Sequence, residues 1–510
     1  MNDAPPPAPS EVLDLPPDER GAPTRPLTGL GSPPPPRPSH LRSLSGLAAL
    51  LVCGFILFRV VVAEPFGVPT GSMAPTLMGN HRHADCPRCG YPVRVGLPTN
   101  GERAGHSTDI PCPNCGKKTN LADAPAINGD RVLVDKLVYT LRRPRRWEVA
   151  VFRCAADQYK AYVKRILGLP GEVITIQDGE VYANGALLRK ALAEVRETQL
   201  PVFDLAFAPP GGWGPRWYVY PPENDRRLPP TGAAPAPADA GVLNNGQLIL
   251  DAAASPQAEV RLEYRHVNLD TPDPNGDVVT SDNGYDGGTR SRSNVYAAHD
   301  FSVRAEVVVQ AAQPGATLAL RLFDGTDAVA AEVSVGPRAE GKAALTHDKL
   351  GGLSAAAGVG LEPGKRYTVE FAFVDRRATL AIDRRVVLPP ADLLAEPKRG
   401  EVRRPFQLGA RGCKLVVTRL QLFRDIHYTN AGRHATRTPA RLGDDEYFAL
   451  GDNSGNSQDS REWPNPGVPA GDFLGKPILI HQPLRPGRVT VGGGERVFQT
   501  LDWARLRWLH

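Results

Sequence analysis

Two patterns of apolar residues divide this chain. Residues 43–63 are predominantly apolar, and Leu47–Phe58 run without a polar interruption. Beyond them, apolar residues come in short runs of strand length. Examples are Arg131-Val-Leu-Val-Asp135, Val149-Ala-Val-Phe152 and the strictly alternating Tyr367-Thr-Val-Glu-Phe. Alternation with period two marks a half-buried strand. Glu172–Tyr182 reads as a hairpin whose halves meet at Asp178-Gly179, a pair suited to a type I′ turn. The predicted fold class is mainly β.

The apolar stretch predicts a transmembrane helix over 43–63, because about 1.5 Å per residue carries it roughly 30 Å. Arg59 near its far end can snorkel to an interface. Arg37 and Arg42 before it favour a cytoplasmic N-terminus. A cleavable signal peptide competes, since Val61-Val62-Ala63 passes as a small-residue cleavage site. The long preceding tail and Arg59 favour a retained single-pass anchor in the cell membrane. No later stretch is long and apolar enough to span, so the rest of the chain is expected outside the cytoplasm. Residues 1–42 include an unbroken Pro33–Pro36 run and read as a disordered Pro-rich tail.

With 510 residues the chain has room for two to four domains. Its 60 basic and 55 acidic residues nearly balance, so no nucleic-acid partner is implied. Seven cysteines are too few for a disulfide scaffold in a chain of this size. Four of them form two knuckles within an insert at 84–118, Cys86-Pro-Arg-Cys89-Gly90 and Cys112-Pro-Asn-Cys115-Gly116. Two such knuckles turn four thiolates toward one point, as in a zinc ribbon, and predict a closed structural zinc site. Disulfides compete in an oxidising exterior. His81, His83 and His106 lie nearby and read as solvated loop residues.

Residues 209–437 form a long insert. After Pro/Gly-rich loops it carries strand-like runs, among them Phe301–Val309, Ala316–Phe323, Ala378–Val387 and Leu415–Phe423. Short strands separated by Gly, Pro and Asp point to a β-sandwich. Their order and the late hairpin resemble concanavalin-like or laminin-G-like jelly rolls. That resemblance leaves open a glycan ligand, a protein ligand or a purely structural role. The Asp270–Asp286 loop is rich in oxygen donors but lacks EF-hand spacing, so it reads as solvated. An inserted domain normally carries its own core, so the insert is expected to be separable.

Three further segments carry chemistry. Phe66-Gly-Val-Pro-Thr-Gly-Ser-Met-Ala-Pro-Thr-Leu77 holds Ser72 between stiffening prolines. Tyr162-Val-Lys-Arg-Ile-Leu-Gly168 offers Lys164 as a base for it, although Lys164-Arg165 taken alone would pass for surface charge. Gly451-Asp-Asn-Ser-Gly-Asn-Ser-Gln-Asp-Ser-Arg461 is dense in small polar residues. In this order the three resemble the boxes of type I signal peptidases, Ser/Lys proteases that release signal peptides from exported preproteins.

The resemblance implies a catalytic region in two parts, 64–190 and 438–510, and no cofactor for catalysis. It implies Ser72 as nucleophile, Lys164 as base, Ser457 as a hydroxyl orienting the amine, and Thr70 as an oxyanion donor. It further implies Phe66, Val68 and Val163 as the lining of shallow apolar pockets, and Asp459 with Arg461 as a supporting ion pair. Signal peptides and membrane lipid are the implied partners. Family members usually end the last box in Arg-x-Trp-Gly, whereas here Trp463 is followed by Pro464. Two other readings remain: a self-cleaving repressor-type Ser/Lys protease, and a membrane-anchored glycan-binding or scaffold protein on a degenerate peptidase fold.

Overall fold

The computed structural model describes residues 40–98, 108–213, 216–220, 243–244, 246–282, 284–287, 295–396, 398–491 and 494–509. The expected tail, apart from residues 40–42, and His106 lie outside these. The chain divides into two compact units between Ile56 and Leu57.

The apolar stretch forms the α-helix His40–Val61. Among the described residues, however, no helix is long and apolar enough to cross a membrane. The span expected over 43–63, and the single-pass topology that rests on it, therefore find no support among the described residues. What the stretch lacks is continuity, since its 22 helical residues reach about 33 Å. His40, Arg42, Ser43 and Ser45 polarise one end and Arg59 the other. The unbroken run Leu47–Phe58 covers only about 18 Å of a hydrocarbon core about 30 Å thick.

The remainder is built of strands. One eight-stranded sheet runs in the order Ala63–Gly67, Arg131–Asp135, Phe473–Gln482, Val149–Cys154, Lys160–Gly168, Glu446–Leu450 and Val468–Pro469, with Arg507–Trp508 added on Phe473–Gln482. It interleaves strands from both ends of the chain. Lys160–Gly168 lies between Val149–Cys154, with Ala150 opposite Lys164, and Glu446–Leu450, with Leu450 opposite Arg165. That interleaving brings the third chemical segment beside the second. The hairpin forms as Val173–Gln177 against Glu180–Ala183. Asp178 and Gly179 at its tip take φ of 49° and 84°, the left-handed pair that a type I′ turn requires.

The insert contributes to a network of 15 hydrogen-bonded strands. Two long strands organise it, Phe301–Phe323 and Phe406–Arg424, paired antiparallel along most of their length. The first half of Phe301–Phe323 also pairs with Arg366–Val374, the second half with Ala328–Val335. Register shifts between Glu306 and Thr317 break the ladder between the halves, as bulges do. Alternate residues Val303, Ala305, Val307 and Val309, then Leu318, Leu320 and Leu322, are buried. The period-two pattern thus builds the core.

The insert is not the self-contained body expected from the sequence. Strand Leu200–Asp204, ahead of residue 209, pairs with the end of Phe406–Arg424. Helix Leu192–Thr198 packs Leu192 and Val195 against Ala372, Val374 and Ala381. The four knuckle cysteines, Val93, Val95 and Ile110 share one apolar core with Phe203, Trp213, Trp217 and the insert strands. Arg216 donates to the carbonyls of Asn114 and Val267, and Asn114 Oδ1 accepts from Asp204 N at 2.8 Å. Burying the cysteine hairpins therefore depends on the insert.

Candidate active site

Ser72 sits on a loop leaving strand Ala63–Gly67. The loop is closed at its base, where Asn80 N donates to Pro69 O at 3.1 Å and Val68 N to Asp130 O at 2.9 Å. Asp130 Oδ2 also accepts from Met78 N at 2.7 Å. Buried Met73 and Leu77 anchor the loop in the apolar cluster of Val132, Val134 and Val151. Ser72, immediately before Met73, stays half-buried with its hydroxyl presented to the sheet.

Strand period two turns the adjacent basic residues to opposite faces. Lys164 Nζ lies 2.7 Å from Ser72 Oγ and donates to Ser457 Oγ at 3.0 Å. It is 1% exposed. Burial lowers its pKa from the ordinary 10.5 to about 8, opposed chiefly by the Asp459 carboxylate. Arg165 faces the other way. It pairs with Asp452 through two hydrogen bonds of 2.8 and 2.6 Å and donates to Trp147 O at 2.8 Å. It is a buried structural ion pair, not surface charge.

Ser457 follows the short turn Ser454–Asn456. Behind it Arg461 grips Asp459 at 2.9 and 2.7 Å and donates to Thr429 Oγ1, Ser454 Oγ and Ser454 O at 2.7–2.8 Å. Asp459 Oδ2 accepts from Gly451 N at 3.1 Å. Burial alone would raise the Asp459 carboxyl, but the Arg461 charge and hydrogen bonds outweigh it and hold it below the usual carboxylate range. With its charge matched and its donors filled, the pair is a rigid floor for the box. A Cβ on Gly451 would run into Ser457 Oγ and the Ser72 carbonyl, so only glycine fits between these two serines.

Phe66, Val68 and Val163 fall in one apolar cluster with Met73. Val68 is buried, and the other two are partly exposed. Thr70 is exposed two residues before Ser72. Sequence reasoning missed Asp452, Asn453 and Asp286. Asn453 N donates to Ser72 O at 3.0 Å, and its amide donates to Gly71 O at 3.0 Å and to Asp286 Oδ1 at 2.6 Å. The first two lie inside the polar box and were open to the same reading as Ser457. Asp286 lies in the insert, where no local signal marks it.

The four knuckle cysteines converge, with every Sγ within 4.8 Å of the others. Cys86–Cys115 and Cys89–Cys112 are 3.6 Å apart, and none is disulfide-bonded. Gly90 and Gly116, with φ of 71° and 79°, close the two knuckles, and each donates its N–H to the first cysteine's carbonyl. His81 and His83 are buried in strand His81–Asp85, not solvated as expected, and burial lowers them to about 4 and about 3. The oxygen donors of the 270–286 loop are dispersed. Asp270 pairs with Arg88, and Asp273 and Asp282 accept from backbone N–H groups within their own turns.

Residues 118–210 match the family described as signal peptidase, peptidase S26. A probable signal peptidase I-2 of Synechocystis sp. is 41% identical over 64 residues, 12% of this chain and 29% of the relative. A signal peptidase I of Rickettsia felis is 28% identical over 139 residues, 27% of this chain and 41% of the relative. The chain thus spans less than half the length of these relatives. Among solved structures, the carbohydrate-binding module CBM66 from Bacillus subtilis is 15% identical. It covers 26% of this chain and 79% of that one at a TM-score of 0.20, too slight a likeness to define the insert's fold. The matched family segment holds Lys164. Ser72 and Ser457 lie outside it and join Lys164 through the fold.

Proposed function

We propose that this protein is a type I signal peptidase, a serine endopeptidase that removes signal peptides from exported preproteins after small residues. The observation that carries the reading is the buried Lys164 amine 2.7 Å from Ser72 Oγ. Ser72 Oγ attacks the scissile carbonyl while neutral Lys164 takes its proton. The resulting ammonium protonates the leaving amine, giving an acyl-enzyme that water hydrolyses with Lys164 again as base. Ser457 accepts an N–H of the amine and so aims its lone pair at Ser72. The Ser72 N–H and the Thr70 hydroxyl face the developing oxyanion. Phe66, Val68 and Val163 line the subsites, where their bulk restricts the substrate to small side chains. Such substrates place the catalytic region outside the cytoplasm. A degenerate scaffold would have no chemical need for Ser72, Lys164 and Ser457 together.

The reaction needs Lys164 neutral, so activity rises with pH. At pH 7 only about a tenth of an amine with its pKa near 8 is neutral. For a synthetic signal peptide with alanine one and three residues before the cut, kcat/KM is expected to climb about tenfold per pH unit below 8 and then level off. A limb near 10.5 would mean that the amine is not shifted. A limb near 6.5 would point to a histidine base.

Cys86, Cys89, Cys112 and Cys115 fit a structural zinc ion. Tetrahedral Zn–S bonds of about 2.3 Å set sulfurs about 3.8 Å apart, close to the 3.6 Å observed and far beyond a disulfide. Four thiolates leave no open position for water, so the ion holds the two hairpins together and takes no part in catalysis. Metal analysis of protein kept reduced should find about one zinc per chain. Replacing Cys86 and Cys112 by serine should lower the melting temperature. Protein with neither metal nor titratable thiols would indicate disulfides instead.

A further inference from the structure

We propose that Asp286, carried by the insert, is a positioning residue for the nucleophile Ser72. The inference rests on the peptidase reading above. Asp286 is buried, and its Oδ1 accepts from Asn453 Nδ2 at 2.6 Å and from Asn456 Nδ2 at 3.1 Å. Asn453 reaches the nucleophile loop directly, through Asn453 N to Ser72 O and Asn453 Nδ2 to Gly71 O, each at 3.0 Å. Asn456 ends the turn that delivers Ser457. One carboxylate from the insert therefore braces both hydroxyl-bearing segments that meet at Lys164.

The chemistry of the groups explains why a carboxylate stands there. An asparagine amide can flip end over end, exchanging its donor and acceptor faces. An ionised carboxylate only accepts. Facing Asn453, it holds the NH2 end toward itself and so toward Gly71 O. A flipped amide would set oxygen against both the Gly71 carbonyl and the carboxylate. The neighbouring residue adds a steric contact. Tyr285 packs with Ala74 and Met78, and Gly96 N donates to Tyr285 O at 2.7 Å. A Cβ on Gly71 or on Gly96 would run into the Tyr285 ring. The glycine beside the nucleophile is thus fitted to a side chain of the insert.

The test uses the full chain and a synthetic signal peptide, with kcat and KM separated and melting temperatures checked above the assay temperature. A nucleophile displaced by a fraction of an ångström loses rate rather than binding. Asp286→Ala is therefore expected to lower kcat about 10- to 100-fold with KM within about twofold. Asp286→Asn keeps the shape but frees the amide to flip, and should fall between, at least about threefold below wild type. Asn453→Ala should match Asp286→Ala, and the double variant should be no worse than either, as coupled residues are. The acid limb of the pH profile should not move, because Lys164 is untouched. Should Asp286→Ala fail to fold, Asp286→Asn decides alone. Wild-type kcat in the folded Asp286 variants beside an inactive Ser72→Ala overturns this inference and leaves the peptidase reading standing. Activity in Ser72→Ala itself overturns the reading beneath it.

Discussion

Lys164→Ala, Lys164→Arg and Lys164→Met are each expected to abolish cleavage, by roughly 10⁴-fold or more, as removal of one member of a catalytic unit does. Arginine keeps the charge but cannot give up its proton near neutral pH. Methionine keeps the length and apolar stem but has no basic nitrogen. The three together separate the need for a base from the need for a cation. Substantial activity in Lys164→Arg would remove Lys164 from the chemistry.

The same lysine makes an opposite prediction for stability. Its pKa falls from 10.5 unfolded to about 8 folded, so the unfolded chain binds more protons between those values and stability rises with pH across that window. Below pH 8 the folded state carries the full penalty of a buried charge, on the order of 3 kcal/mol before relaxation. Lys164→Met should therefore be inactive yet more stable than wild type at pH 6–7. The gain should shrink as pH rises toward 10. Melting curves at pH 6.5 and pH 10 check both signs. On the proposed reading, a buried amine is tolerated because catalysis needs it, at the expense of the fold.

Removing residues 209–437 is expected to give a protein that is inactive or does not fold. Three consequences point the same way. The deletion takes Asp286 from Asn453, which braces the Ser72 loop, and Thr429 from Arg461. It also strips the apolar cover from the cysteine hairpins, whose core is continuous with the insert. A deletion protein joined by a short flexible linker should show at least a 100-fold loss on a short signal peptide, where choice among preproteins plays no part. Full activity on that peptide would show that the insert is separable after all.

That expectation reverses what the sequence suggests, and the reason is physical. Ser72, Lys164, Ser457, the Asp459–Arg461 pair and the cysteine knuckles are legible because each sits in a compact motif whose chemistry is local. The Asp178-Gly179 turn is legible because two left-handed residues leave a compositional mark. Asp286 meets Asn453 only after an insert of more than 200 residues has folded, and one aspartate in an Asp-rich loop carries no sign of that. Arg165 looked like surface charge because its partner Asp452 lies on the far side of the insert in sequence. His81 and His83 looked solvated because the strand that carries them is short and polar in composition. The apolar stretch before residue 63 suggests a span by its composition, which the described residues do not support. Its ends are polar, and only its middle is continuous.

The most direct measurement compares the full chain with its Ser72→Ala variant on one signal-peptide substrate, products and protein both read by mass spectrometry. A Ser72/Lys164 peptidase predicts a single cut after a small residue by the wild type and none by the variant. When turnover is quenched with acid, it also predicts that any trapped adduct of the substrate's acyl portion lies on the peptide containing Ser72. Equal cleavage by both proteins, or an adduct on any other residue, would contradict it.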